Sequence, residues 1–362
     1  MRYSPFRHLP SIARKSSPIQ LTFFVTRRCN AHCPFCFYLR SAAGPSSRGE
    51  ELSLQEIDRI SRSLGDLLWL AFSGGEIFLR DDLVEIARTF YRHNRPAIML
   101  LPTNGMLPEV IRDRTEEILR SCAKSVIAVK LSLDGVGAAH DAVRNTPGSF
   151  DRTMRTYRLL EELLPVHPHF ELGVNTVFCS GNQDAMDGII DHVRSLRGVR
   201  THTISLARGA LAQGRFTDVD LAKYERAIGR LEQDLKRGAA ATYRFAGARL
   251  KAAQDILQRK LILRTAQERR SIISCYAGRL NVVLTEDGGV FPCEILSGGF
   301  GNVRENDYDI RTMLRTGKAA EVLGPIGRRE CFCTHECYFM TNILFNPRLY
   351  PALAGELLQL RR

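Results

Sequence analysis

Apolar and polar positions alternate in blocks over the first 206 residues. Residues 21–25, 67–72, 97–101, 126–133, 170–178 and 201–206 are short runs rich in Leu, Ile, Val and Phe, and polar or glycine-containing residues follow most of them. Short apolar runs bounded by turn residues read as buried strands. Between them, residues 81–91, 108–122, 150–164 and 184–196 carry helical patterning. Ser53-Leu54-Gln55-Glu56 adds a capping box at the head of a helix running toward Leu64. Six strands separated by five helices predict an α/β fold with a parallel sheet and right-handed crossovers, a partial (β/α)6 TIM-like barrel. In such barrels, chemistry gathers at the C-terminal ends of the strands.

Beyond residue 206 the pattern changes. Leu221, Tyr224, Ile228, Leu231 and Leu235 form one helical stripe, and a second helix is expected over residues 246–263. Residues 281–284, the turn Glu286-Asp287-Gly288-Gly289 and Val290-Phe291 then read as a β-hairpin. The expected organisation is a barrel over residues 1–206, a helical connector over 207–270 and a smaller C-terminal unit over 271–362. Residues 41–49, small and polar, read as a flexible connection.

Composition adds little until charge is mapped. The chain has 362 residues, 44% apolar and 25% charged, as in an ordinary globular protein. No window approaches the ~18 uninterrupted apolar residues of a membrane helix. No signal or transit peptide is evident, so a cytoplasmic protein is expected. The net charge is +12, and residues 194–270 hold 18 Lys and Arg against 7 Asp and Glu. That basic segment suits an anionic partner or is a solvated helical face.

The ten cysteines do change the picture. Cys29-Asn30-Ala31-His32-Cys33-Pro34-Phe35-Cys36 puts three thiols on one loop after the first strand. Cys275, Cys293, Cys331, Cys333 and Cys337 form a second group, while Cys122 and Cys179 stand alone as expected buried hydrophobes. Clustered thiols in a chain without a secretion signal favour metal over disulfides. Three close thiolates on a four-iron cluster leave one iron open for chemistry. Zinc is the rival, although its structural sites usually pair two close ligands with two distant ones.

The C-x3-C-x-aromatic-C spacing of Cys29, Cys33, Phe35 and Cys36 resembles the signature of the radical S-adenosylmethionine (SAM) superfamily. Ser73-Gly74-Gly75-Glu76 is similar to that superfamily's GGE motif, which implies a place for the amino end of SAM. Ser132, within Leu131-Ser132-Leu133-Asp134-Gly135, resembles the residue that meets the ribose, and Arg144 would then face the SAM carboxylate. Asn104 and Asn175 are further candidates for polar contacts. Cys275-x12-Gly288-x4-Cys293 resembles the opening of the auxiliary-cluster region called SPASM. With only five C-terminal cysteines the chain looks more like its single-cluster relative, the twitch domain. The resemblance implies one auxiliary [4Fe–4S] cluster on Cys275, Cys293, Cys337 and either Cys333 or Cys331, with zinc as the alternative. Glu294, next to Cys293, would be a base toward substrate, whereas Tyr276 and Tyr338 read as packing residues.

What the resemblance implies is an oxygen-sensitive enzyme that binds SAM at a [4Fe–4S] cluster and cleaves it reductively. The resulting 5′-deoxyadenosyl radical would abstract a hydrogen atom from a polar small molecule, glycan or lipid precursor, with the basic segment at 194–270 the one hint of an anionic one. The overall reaction would be an oxidation, rearrangement or bond formation. An electron donor such as a flavodoxin or ferredoxin is expected, and nucleic acid is not. The first strand begins near Leu21, so no leader-binding domain is expected before the barrel and a non-peptide substrate is favoured. Modification of a ribosomal peptide is the alternative, and a non-catalytic iron–sulfur or zinc protein is the alternative of another class.

Overall fold

The structure is a computed structural model that describes residues 2–39, 50–209, 211, 213–239, 243–245 and 247–360. The expected linker at 41–49 and the expected helix start at 246 lie outside these residues.

The barrel half begins with β1 (Gln20–Thr26), α1 (Leu54–Ser63), β2 (Trp69–Gly74) and α2 (Leu83–Asn94). It continues with β3 (Ile98–Thr103), α3 (Pro108–Ser121) and β4 (Val126–Ser132). After α4 (Ala138–Arg144) and α5 (Ser149–Glu161) come β5 (Phe170–Phe178), α6 (Met186–Ser195) and β6 (Val199–Leu206). All six strands are parallel, in the order β6-β5-β4-β3-β2-β1. The helix α4 is absent from the sequence expectation because its seven residues follow Gly137 without a side-chain cap.

The sheet does not end at β1. After α7 (Leu221–Arg237) and α8 (Ala248–Glu268), β7 (Asn281–Leu284) pairs in parallel with β1, Gln20 opposite Asn281. β8 (Gly289–Phe291) and β9 (Gly301–Asn302) follow antiparallel. The expected hairpin is therefore present, but as an extension of the barrel sheet. Four helices complete the chain: α9 (Ile310–Met313), α10 (Gly317–Gly327), α11 (Glu336–Leu344) and α12 (Tyr350–Gln359).

Alternation along β1 explains its position. Leu21, Phe23 and Val25 point into the main core against the barrel helices. Phe24 points the other way, into a cluster with Ala277, Val283 and Tyr338 from the C-terminal part. Every residue of β1 is buried, as parallel pairing on both edges requires.

The capping box of α1 forms as expected: Ser53 Oγ accepts from Glu56 N, and Ser53 N donates to Glu56 Oε2 at 2.8 Å. Glu56 also holds Arg304 at 2.6 Å and Tyr308 at 3.2 Å, tying α1 to the turn after β9. Among the described residues no helix is long and apolar enough to cross a membrane.

Candidate active site

The loop after β1 carries Cys29, Cys33 and Cys36, all partly exposed. Backbone amides turn toward two of the thiols: Ala31 N lies 3.4 Å from Cys29 Sγ, and Leu39 N lies 3.4 Å from Cys36 Sγ. Phe35 anchors the loop by burying itself with Val143 of α4, Cys179 just after β5, and Phe216. Cys179 is indeed a buried hydrophobe there.

The loop after β2 locks onto this one. Gly75 N donates to Thr26 O and Glu76 N to Arg28 O, both at 2.8 Å. Gly74 has φ +130° and backs onto the Thr26 carbonyl, while a Cβ on Gly75 would lie 2.6 Å from the Arg28 carbonyl carbon. Only glycines allow two backbones this close. The carboxylate of Glu76 is buried and accepts from Thr103 Oγ1 at 2.8 Å, Asn104 N at 2.7 Å and Phe78 N at 3.3 Å. Burial pushes its pKa up to about 7 against those hydrogen bonds. Asn104 in turn donates to Asn30 Oδ1 at 2.7 Å and reaches Cys29 Sγ at 3.9 Å. Glu76 and Asn104 therefore brace the thiol loop.

Arg144, at the end of α4, is buried and pairs with Asp134 at 2.6 Å. Its Nε has no partner. Burial works against the guanidinium charge, but the nearby Cys33 thiol and Asp134 outweigh it and hold the group cationic. Ser132 and Asn175 are register partners on β4 and β5 and face the barrel lumen.

That lumen holds a cavity of about 320 Å³, reaching from Phe35 and Phe37 to Glu294, Glu336 and Cys337. Glu294 Oε2 lies 3.2 Å from His335 Nε2 and 3.8 Å from Arg208, which also approaches Glu336 at 3.5 Å. Burial raises the Glu294 carboxyl to about 7, with Arg208 pulling the other way, and keeps His335 neutral. Arg208, His335 and Glu336 were not anticipated. Their only sequence signal was proximity to the cysteines or to the end of β6.

The second thiol group divides. Cys275, Cys293, Cys331 and Cys333 line one small cavity, of about 50 Å³. Cys337 instead lines the barrel lumen, close to the Glu294 and Glu336 carboxylates. Asn342 Oδ1 accepts from Tyr276 N at 2.8 Å and fastens α11 beside Cys275. Tyr338 is fully buried beside these thiols. Among the described residues no three His, Cys, Asp or Glu side chains converge closely enough to hold a single metal ion.

Three loop thiols beneath a barrel mouth, with a glycine cradle and an incompletely paired arginine beside them, define a cofactor-dependent barrel enzyme. Residues 23–192 match the Radical SAM superfamily. An AdoMet-dependent heme synthase of Methanosarcina barkeri is 28% identical over 311 residues, 82% of each chain. The subtilosin biosynthesis protein AlbA of Bacillus subtilis is 27% identical over 299 residues, 81% of this chain and 59% of its own. The mycofactocin maturase MftC of Mycobacterium tuberculosis is 32% identical over 149 residues, covering 40% of this chain and 34% of its own. Among solved structures, anSMEcpe with bound AdoMet superimposes with a TM-score of 0.58 at 16% identity, over 95% and 96% of the two chains. Streptococcus suis SuiB bound to S-adenosylmethionine gives 0.56 at 15%, over 88% and 70%. The chain therefore contains a Radical SAM domain over residues 23–192 and is an enzyme with SPASM-type relatives. The superfamily uses a [4Fe–4S] cluster and SAM, and SPASM-type relatives carry auxiliary clusters.

Proposed function

We propose that this enzyme generates a 5′-deoxyadenosyl radical at the barrel mouth and directs it at a small molecule held in the lumen. The cavity of about 320 Å³ in the lumen is the observation that carries this reading. A volume of that size suits a compact ligand. Cys29, Cys33 and Cys36 would hold the SAM-binding cluster. Their partial exposure and shared loop suit that role. The Gly74–Gly75 cradle and Arg144, with its unpartnered Nε, fit the amino and carboxylate ends of SAM. Ser132 and Asn175 face the space where a ribose would lie. With both groups bound, the cluster and SAM supply one-electron cleavage of a carbon–sulfur bond and hence hydrogen-atom abstraction.

The rest is done by the chain itself. Phe35 within the thiol loop and Phe37 just after it line the lumen at this end. Glu294 sits on the lumen wall, with His335 and Arg208 fixing its orientation, in position to take a proton from bound substrate. Cys275, Cys293, Cys331 and Cys333 would hold the auxiliary cluster, since these four share one cavity. Cys337 would face substrate.

The test is anaerobic incubation of reconstituted enzyme with reductant and SAM. Formation of 5′-deoxyadenosine should require Cys33, and the low-molecular-weight fraction of a cell extract should stimulate it. If wild type forms none, or Cys33→Ala still does, the reading fails. A second reading, peptide modification, is favoured by the similarity to AlbA and MftC. Stimulation by the peptide fraction alone would decide for it.

A further inference from the structure

Below the layer of Ser132 and Asn175, the lumen becomes charged. Lys130 on β4 points inward and lies opposite Gly173 on β5. A Cβ at position 173 would stand 2.8 Å from the Lys130 ammonium. Without one, the lysine crosses β5 to β6, where it donates to Thr201 and to Thr203 at 3.3 Å. Both acceptors are neutral. Among the described residues, no carboxylate reaches Lys130 at ion-pair distance. Asp255 on α8 is taken by Lys251 and by Tyr243 Oη at 3.1 Å. Of the buried side-chain atoms of this lumen without a hydrogen-bond partner, Trp69 Nε1 and Glu171 Oε2 lie on the strands beside Lys130, while those of Arg208, His335 and Glu336 lie beyond β6. A buried cation whose direct partners are two hydroxyls is costly, and unmet polar atoms around one cavity imply a polar ligand.

We propose that this layer of the lumen, next below Ser132 and Asn175, binds the carboxylate of the substrate, which is a monocarboxylic acid with an apolar body. Lys130 receives the carboxylate, while Trp69, Ile98, Leu100 and Val126 line the space for the body. Glu171 and Asp255 nearby disfavour a dianionic phosphate, because like charges repel at close range in an enclosed site. Glu171 Oε2 is left to accept from a donor on the ligand. The inference rests on reading the lumen as the substrate chamber, and it names the chemistry of that substrate.

The chain has one tryptophan, so Trp69 fluorescence reports on the lumen directly. Reconstituted holoenzyme is titrated with phenylacetate, with its neutral amide phenylacetamide and with phenyl phosphate, following Trp69 quenching and heat. Phenylacetate should bind saturably and about tenfold or more tighter than the amide, a difference of about 1.4 kcal/mol. Lys130→Met should erase that preference while retaining amide binding. Equal binding of acid and amide by wild type overturns the proposal, whatever the variant does. So does absence of saturable phenylacetate binding, preference for phenyl phosphate, or an undiminished preference in Lys130→Met. Binding is read without SAM cleavage, so failure here is distinct from failure to form 5′-deoxyadenosine.

Discussion

Asp134 and Arg144 stand 2.6 Å apart beside the thiol loop, and both are almost wholly buried. Asp134 spends its other oxygen on Val177 N at 2.7 Å, so the pair joins the start of the β4–α4 loop, the end of α4 and β5. The acid thus aims the arginine and leaves its Nε open.

Arg144→Met should therefore weaken SAM binding about tenfold or more while the iron content of the loop cluster stays intact. Loss of one charge-assisted contact is worth about 1.5–3 kcal/mol. Equilibrium dialysis with labelled SAM, alongside iron analysis, separates the two effects. Asp134→Asn keeps the arginine but loosens its aim, and its loss should be smaller.

The division of the C-terminal thiols predicts different iron counts. Cys331→Ser and Cys333→Ser should each lose the auxiliary cluster, seen as a fall in iron and in the cluster's paramagnetic signal. Cys337→Ser should retain both clusters and lose turnover of substrate. Loss of iron on changing Cys337 would return it to the ligand set that the motif resemblance implies.

Glu56 couples α1 to the turn after β9, and its pKa is lowered to about 2, chiefly by the hydrogen bond with Arg304. A depressed carboxylate contributes stability that is complete above its unfolded pKa and is lost as pH falls toward the folded value. Glu56→Gln should cost about 1–2 kcal/mol near neutral pH, from the cap and the ion pair together. Melting curves of wild type and variant should converge as pH drops from about 4.5 toward 2.

Burial lowers Lys130 to about 7, with Asp255 opposing and Lys251 and Arg259 assisting from α8. Glu171 on β5 also faces it, and His202 on β6 feels its charge. The lysine is charged below that value and neutral above it. Affinity for phenylacetate should accordingly be highest near pH 6 and fall as pH climbs toward about 9, while amide binding stays flat. Calorimetry across that range provides the check.

Much of the barrel was legible because its signals are local. The span of β5 follows from its alternation, with Phe170, Leu172, Val174 and Phe178 supplying the core-facing positions, and the capping box of α1 from four residues. The thiol loop was readable for the same reason. The lumen was not. Lys130 looks like a lone polar residue within a strand, and only the absent side chain at Gly173 and the closure of β6 give it a setting. Arg208, Glu294 and His335 likewise meet only once the chain past β6 folds back over the lumen. The resemblance could count the C-terminal cysteines but could not show which way α11 turns Cys337.

The pairing of β7 with β1 bears on how the molecule assembles. Gln20 finds its partner in Asn281, so the ladder on one side of the first strand cannot close until the hairpin has been synthesised. Such distant contacts slow folding, because a long loop must close before the pairing rewards it. Until then β1 presents a bare apolar edge, open to pairing with other chains. A chain cut after β6 would keep that edge permanently, so the hairpin that leads into Cys293 also covers the first edge of the barrel sheet.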